Sequence, residues 1–353
     1  MAYIDFKPSD FFNVNGHTGT GSSQTVTGVG FSSAFTWLKA INIDNEDYTM
    51  WDTPRGVTKY ISSNGSWAEA TMANGLTAWN SNGYVLGGNN GTNKSSEDYL
   101  GMNWKAGTTS GITTNGSTTI TPSAYSFNAA KGISILTYTG NGTAGAKLAH
   151  GLGVAPDAII WKDLDGQQHW AAYHINTHST SSTSSGYKMK FNGTDARNDD
   201  DAFLGDTAPD ATNINLGSSS WVNRNTGLLM AICFKSIKGF SKFGGYRGNG
   251  SATEGFYQPL GFSPSLVIVK KTSATAAWYM WNGVYQGYNP KNNALFPYHT
   301  SQQNTTERIE LLSNGFKFYH SDSDHNASST DFIYYAWASN PIVGSNGTAG
   351  VAK

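Results

Sequence analysis

A glycine–x–glycine triplet followed about twenty residues later by an apolar run ending in lysine occurs three times in this chain. The triplets lie in His17-Thr18-Gly19-Thr20-Gly21, Tyr138-Thr139-Gly140-Asn141-Gly142 and Tyr246-Arg247-Gly248-Asn249-Gly250. The runs are Phe35-Thr36-Trp37-Leu38-Lys39, Ala158-Ile159-Ile160-Trp161-Lys162 and Leu266-Val267-Ile268-Val269-Lys270. From second glycine to lysine the spacing is 18, 20 and 20 residues. A recurrence this regular constrains the fold more than any local propensity, because each copy must be one structural unit.

The units divide the chain into a short arm (1–10), repeat one (11–106), a Thr/Ser/Gly-rich connector (107–130), repeat two (131–238), repeat three (239–342) and a small-residue tail (343–353). Landmarks recur in a fixed order. An aromatic pair follows the lysine run: Tyr48 with Trp51, Trp170 with Tyr173, and Trp278 with Trp281. A Ser-Asn-Gly-aromatic turn comes next in repeats one and three, at Ser81 to Tyr84 and Ser313 to Phe316. Each repeat closes on a run such as Tyr99 to Trp104, Leu228 to Phe234 or Phe332 to Trp337. Repeat two lacks the Ser-Asn-Gly turn and carries a Ser/Thr-rich loop, Thr177 to Ser185, which reads as a repeat-specific contact surface.

The copies read as β structure. Asn-Gly occurs twelve times and supplies the positive φ angles of type I′ hairpin turns. The lysine runs are apolar at both parities, so both faces of those strands are expected to be covered. Helical periodicity is almost absent, with Trp67 to Met72 as one candidate turn. The expected fold is all-β: three tandem antiparallel β-sandwiches, lectin-like or jelly-roll-like, of about one hundred residues each. The connector reads either as a flexible linker or, from Thr118 to Thr121, as a connecting strand.

With 23 basic and 24 acidic residues, no bulk field favours nucleic acid or a membrane surface. Cys233 is the single cysteine, which excludes an intrachain disulfide and a cysteine-based zinc cluster. The start of the chain lacks the basic and apolar segments of a secretory signal, and no run is long enough to span a bilayer; synthesis in a cytoplasm is expected.

Three groups of residues are candidates for binding. Residues three apart on a strand face opposite sides, so one ring of each aromatic pair is a candidate for sugar stacking beside a polar neighbour. That gives a glycan-facing set of Trp51, Asp52, Tyr173, His174, Trp281 and Asn282; the competing reading puts both rings in core or inter-repeat contact. The arm, with Tyr3, Ile4 and Phe6, reads either as a docking segment or as a frayed terminus. His169, His174 and His178 suggest a metal, yet no carboxylate completes a site, and ordinary histidines are the preferred reading. The acidic loops at Asp163-Leu164-Asp165-Gly166, Asn198 to Asp201 and Asp322 to Asn326 read as solvated turns rather than calcium loops. No catalytic motif is found, no cofactor is expected, and Cys233 reads as core. Asp52-Thr53-Pro54-Arg55-Gly56 reads as a turn with a structural Asp–Arg contact.

Met1 to Asn13, Thr139 to Gly142, His150-Gly151-Leu152-Gly153 with Pro156, Arg55-Gly56 and the Ser-Asn-Gly-aromatic turns together resemble virion proteins of marine tailed phages. Such proteins are described as tail-fibre-like or as structural proteins without a settled activity. The resemblance spans nearly the whole chain and carries over no catalytic residue. It implies a non-enzymatic particle-surface protein, made in the host cytoplasm and displayed on the virion. Its expected partners are other virion proteins, further copies of itself and a host-surface glycan. Capsid decoration is the alternative, and a glycan hydrolase, marked by two carboxylates across one groove, a third reading.

Overall fold

A computed structural model describes residues 4–178, 181–285, 288–290, 293–306 and 309–341. The fold is all-β and antiparallel, and among the described residues every helix is six residues or shorter.

Each repeat builds a main sheet with the same strand order: first strand, closing strand, lysine strand, aromatic strand. In repeat one these are Phe12–Thr18, Asp98–Trp104, Phe35–Ala40 and Thr49–Asp52. In repeat two they are Ile133–Thr139, Leu228–Phe234, Ala158–Asp163 and Ala171–His174; in repeat three, Ser241–Arg247, Asp331–Pro341, Phe262–Lys271 and Trp278–Asn282. The closing strand sits between the first and lysine strands, so the two ends of a repeat pair with each other. Repeat two extends its sheet at both edges, with Ala124–Asn128 on one side and Tyr187–Lys190 then Asn198–Asp199 on the other. The connector therefore supplies an edge strand at Ala124–Asn128, and Ile120 makes a parallel bridge to Leu148. Trp67 to Met72 forms no helical turn; Ala70–Thr71 pairs with Lys59–Tyr60 instead.

A second, smaller sheet covers the outer face of each main sheet. It consists of Gln24–Thr27, Gly83–Leu86 and Leu76–Asn80 in repeat one, Ala146–Ala149 and Asn213–Leu216 in repeat two, and Phe256–Pro259, Gly315–Phe318 and Ile309–Leu312 in repeat three. Alternation along the strands then sorts side chains into two cores. Leu38 and Trp51 pack outward under the small sheet of repeat one. Trp161 and Tyr173 do so in repeat two, and Val267 and Trp281 in repeat three. The opposite parity (Phe35 and Trp37, Ala158 and Ile160, Leu266 and Ile268) joins one central core shared by all three repeats. The aromatic ends of the closing strands meet there. Trp337 lies 5.3 Å from both Trp104 and Phe234, ring centre to ring centre. The void left at this centre is about 10 Å³ and wholly apolar, no more than a single water would need.

The repeats are fastened in a cycle. Glu69 N–H donates to Leu164 O at 2.7 Å, Arg197 N–H to Thr272 O at 2.8 Å, and Gln303 N–H to Ile41 O at 3.1 Å. Repeat one thus holds two, two holds three, and three holds one. The lysines that end the apolar runs sit at the same seams. Lys39 Nζ donates to Glu46 O (2.7 Å) and across the seam to Thr300 O (2.9 Å). Lys162 Nζ reaches Asp163 O, Gln168 O and, across the seam, Ser66 O at 2.9–3.1 Å. Lys270 Nζ reaches Ala276 O (3.0 Å) and Thr194 O (3.2 Å). All three lysines are buried and take carbonyl acceptors rather than carboxylates. Burial pulls each ammonium from its ordinary value near 10.5 down to about 8.

The glycine triplets have a structural cause. Each wraps a buried asparagine: Asn93, Asn223 or Asn326. The asparagine carbonyl oxygen accepts from Thr20, Asn141 or Asn249 N–H at 2.9–3.1 Å. Its amide donates to carbonyls of the loop, as Asn93 does to Ser22 O and Gly87 O. A Cβ on Gly19, Gly140 or Gly248 would meet a backbone oxygen at 2.2–2.4 Å, and Gly21, Gly142 and Gly250 have φ near +70°, a conformation glycine adopts without steric cost.

Candidate functional site

The residues expected to face a glycan lie inside the protein. Trp51, Asp52, Tyr173, His174, Trp281 and Asn282 are all buried. The rings of each pair do face opposite sides, as alternation requires, but the small sheet covers the outward side. Asp52 is taken by Arg55, whose Nε lies 2.5 Å from its carboxylate; this is the structural contact expected from the turn. His174 receives the Asn176 N–H on Nδ1 at 3.0 Å, and its Nε2 lies 3.2 Å from Tyr334 O. Burial lowers its pKa to about 4, so it is neutral. Asn282 accepts from Val284 and Tyr285 N–H and shapes its own turn.

From Ile4 onward the arm is folded back on its own chain. Ile4 is buried, and Phe6 packs edge-on to Phe11 at 5.6 Å and Phe240 at 5.7 Å. Lys131 Nζ lies 3.3 Å from the Phe6 ring centre. Phe6, partly buried, therefore touches all three repeats. Tyr3 lies outside the described residues.

Among the described residues, no group of three or more His, Cys, Asp or Glu is placed to hold a metal. The acidic loops have internal work. Asp163 receives two hydrogen bonds from Arg224, at 2.6 and 3.0 Å. Asp200 caps a one-turn helix through Ala202 N–H, and Asp322 accepts from Asp324 N–H. Cys233 is buried in the outer core of repeat two, and burial pushes its thiol well up. Among the described residues, no helix is long and apolar enough to cross a membrane.

One surface feature is marked by no motif in the sequence. Repeat two carries an open cleft of about 450 Å³ lined by Lys188, Lys190, Asp195, Arg197, Asn198 and Trp221. That size falls within the range of small-ligand sites. Lys188 and Lys190 alternate along Tyr187–Lys190 with Met189, which enters the central core while the two lysines stay partly exposed. Trp221 is partly exposed on the one-turn helix Ser220–Asn223. Lys188 Nζ lies 4.4 Å from the indole centre and is ion-paired with Asp200. Lys190 pairs with Asp195 at 3.0 Å, and its hydrogen bond holds that carboxyl below the usual range. Arg197 donates through Nη1 to Thr177 O at 3.3 Å and Thr272 Oγ1 at 3.2 Å, and its guanidinium lies over the Tyr187 ring at 5.5 Å.

These residues break the threefold pattern. Two positions before the buried asparagine stand Gly91, Trp221 and Asp324. At the seam position whose N–H reaches the next repeat stand Glu69, Arg197 and Gln303. Only repeat two places an indole and a guanidinium there. Aligning the repeats residue by residue would have singled them out; no local motif could.

The architecture defines a class: an all-β protein of three two-sheet repeats closed around a shared core. The chain belongs to the DUF7483 family, a domain of unknown function whose family model matches residues 7–341, across all three repeats. No curated protein and no solved structure matches it.

Proposed function

We propose that this chain is a non-enzymatic structural protein of a phage particle. It is displayed at the tail or as part of a fibre, assembled with other virion proteins and further copies of itself, and contacts a glycan on the host surface. The observation that supports this best is the contrast between a body closed around a shared apolar core and a cleft that keeps an indole and cations at the surface. The many uncharged polar residues outside the cores suit a surface exposed to proteases. A hydrolase reading gains no support from the cleft. Asp195 is held below the usual carboxylate range by its Lys190 hydrogen bond, and a carboxyl held low in this way is poorly suited to act as a general acid.

Labelling the protein on intact particles and imaging them tests the assignment. Label confined to the tail is expected. Label spread over the head would instead assign capsid decoration, and loss of the protein should then lower the head's resistance to heat and osmotic shock.

A further inference from the structure

We infer that the repeat-two cleft binds an anionic saccharide, with Arg197 taking the acidic group and Trp221 the apolar face of a sugar ring. This rests on the glycan-contact half of the proposed function and names the ligand chemistry.

The argument begins with unequal pairing of the cations. Lys188 and Lys190 already have carboxylate partners in Asp200 and Asp195. Arg197 has no carboxylate ion pair among the described residues, and its hydrogen bonds to Thr177 and Thr272 both use Nη1. The guanidinium is thus fixed in place, while the Nε and Nη2 donors stay unused. Two parallel donors on a rigid plane match the two oxygens of a carboxylate or the edge of a sulfate. Of the three cations lining the cleft, two are neutralised by these pairs, which leaves Arg197 as the lining cation without a carboxylate partner among the described residues. The charge available to a ligand is therefore that of the Arg197 guanidinium.

The remaining lining suits a sugar rather than a bare anion. The exposed part of the Trp221 indole offers an apolar surface. Asn198 and Asp195, both exposed, offer an amide and a hydroxyl acceptor beside it. The fold does not demand these side chains. Repeats one and three build the same seam with Glu69 and Gln303 in place of Arg197, and repeat one turns the same helix with Gly91.

Calorimetric titration of the full chain tests this with three trisaccharides of one backbone: a uronic-acid form, a sulfated form and the neutral form. Either anionic sugar, or both, should bind at least tenfold more tightly than the neutral one, and the comparison between them identifies the acidic group. Binding should weaken as salt is raised. Arg197→Gln installs the residue repeat three carries at the same position. It and Trp221→Ala should each weaken binding at least tenfold, with Tm changed by only a few degrees. Neutral sugar binding as tightly as the acidic forms, no binding of any form, or wild-type affinity in both variants would overturn the inference. Because it is read on isolated protein, failure here is separable from failure of the particle assignment.

Discussion

Lys39, Lys162 and Lys270 show how much of a residue's role its sequence context reveals. The lysine ending each apolar run marks the repeat, and its recurrence points to a shared task. What the sequence could not show is the acceptor. Thr300, Ser66 and Thr194 belong to other repeats, and no local pattern connects them to these lysines. The consequence is a pH dependence of unusual sign. With folded values near 8 against 10.5 unfolded, the unfolded chain binds more protons between those limits. Stability therefore rises with pH through that window. Cys233, whose thiol is pushed up by burial, works against this near pH 9, as do the buried tyrosines near pH 10. Three ammoniums outweigh one thiol below that point. Tm is expected to increase from pH 7.5 to 9, and Lys162→Met should remove about a third of the increase. A Tm that is flat or falls across this range would show that the lysines keep ordinary values.

At the scale of elements, the apolar residues at both parities of the lysine runs correctly indicated strands covered on both faces, and the aromatic spacing correctly placed paired rings on opposite sides. The identity of the outer cover was hidden, because the small sheets are made by pairing segments far apart in sequence, such as Gln24–Thr27 with Gly83–Leu86. The rings expected in solvent are core for that reason. Trp281→Ala should cost about 3–5 kcal/mol in denaturant unfolding and leave saccharide binding unchanged. A loss below about 1 kcal/mol would place the ring outside a tight core. The Ser-Asn-Gly turns were located from sequence but for an incomplete reason. Asn82 and Asn314 have no positive φ; their side chains instead accept from Gly30 and Gly261 N–H. Gly83 and Gly315 are needed because a Cβ would meet Val26 O or Gln258 O at 2.1 Å. Asn-Gly here staples the small sheet to the loop beside it.

Across the whole molecule, the central core joins the three inner sheet faces, so no repeat can expose its inner face without disturbing the other two. Calorimetry should show one unfolding transition with equal calorimetric and van't Hoff enthalpies. Repeat two expressed alone, residues 131–238, should lack a cooperative transition. Three separate transitions, or a stably folded single repeat, would show that the shared core contributes little. The seam bonds carry a further consequence. Each repeat grips the next in the same way, and the third grips the first. A head-to-tail contact that closes on itself sets the number of its members. An open stack of repeats can lengthen or shorten by a copy and keep working interfaces throughout, but this chain cannot. Losing a repeat leaves two grips without partners, and gaining one leaves no place at the centre. Change in such a protein is therefore channelled into differences among its three members, as the Trp221 and Arg197 positions of repeat two already show.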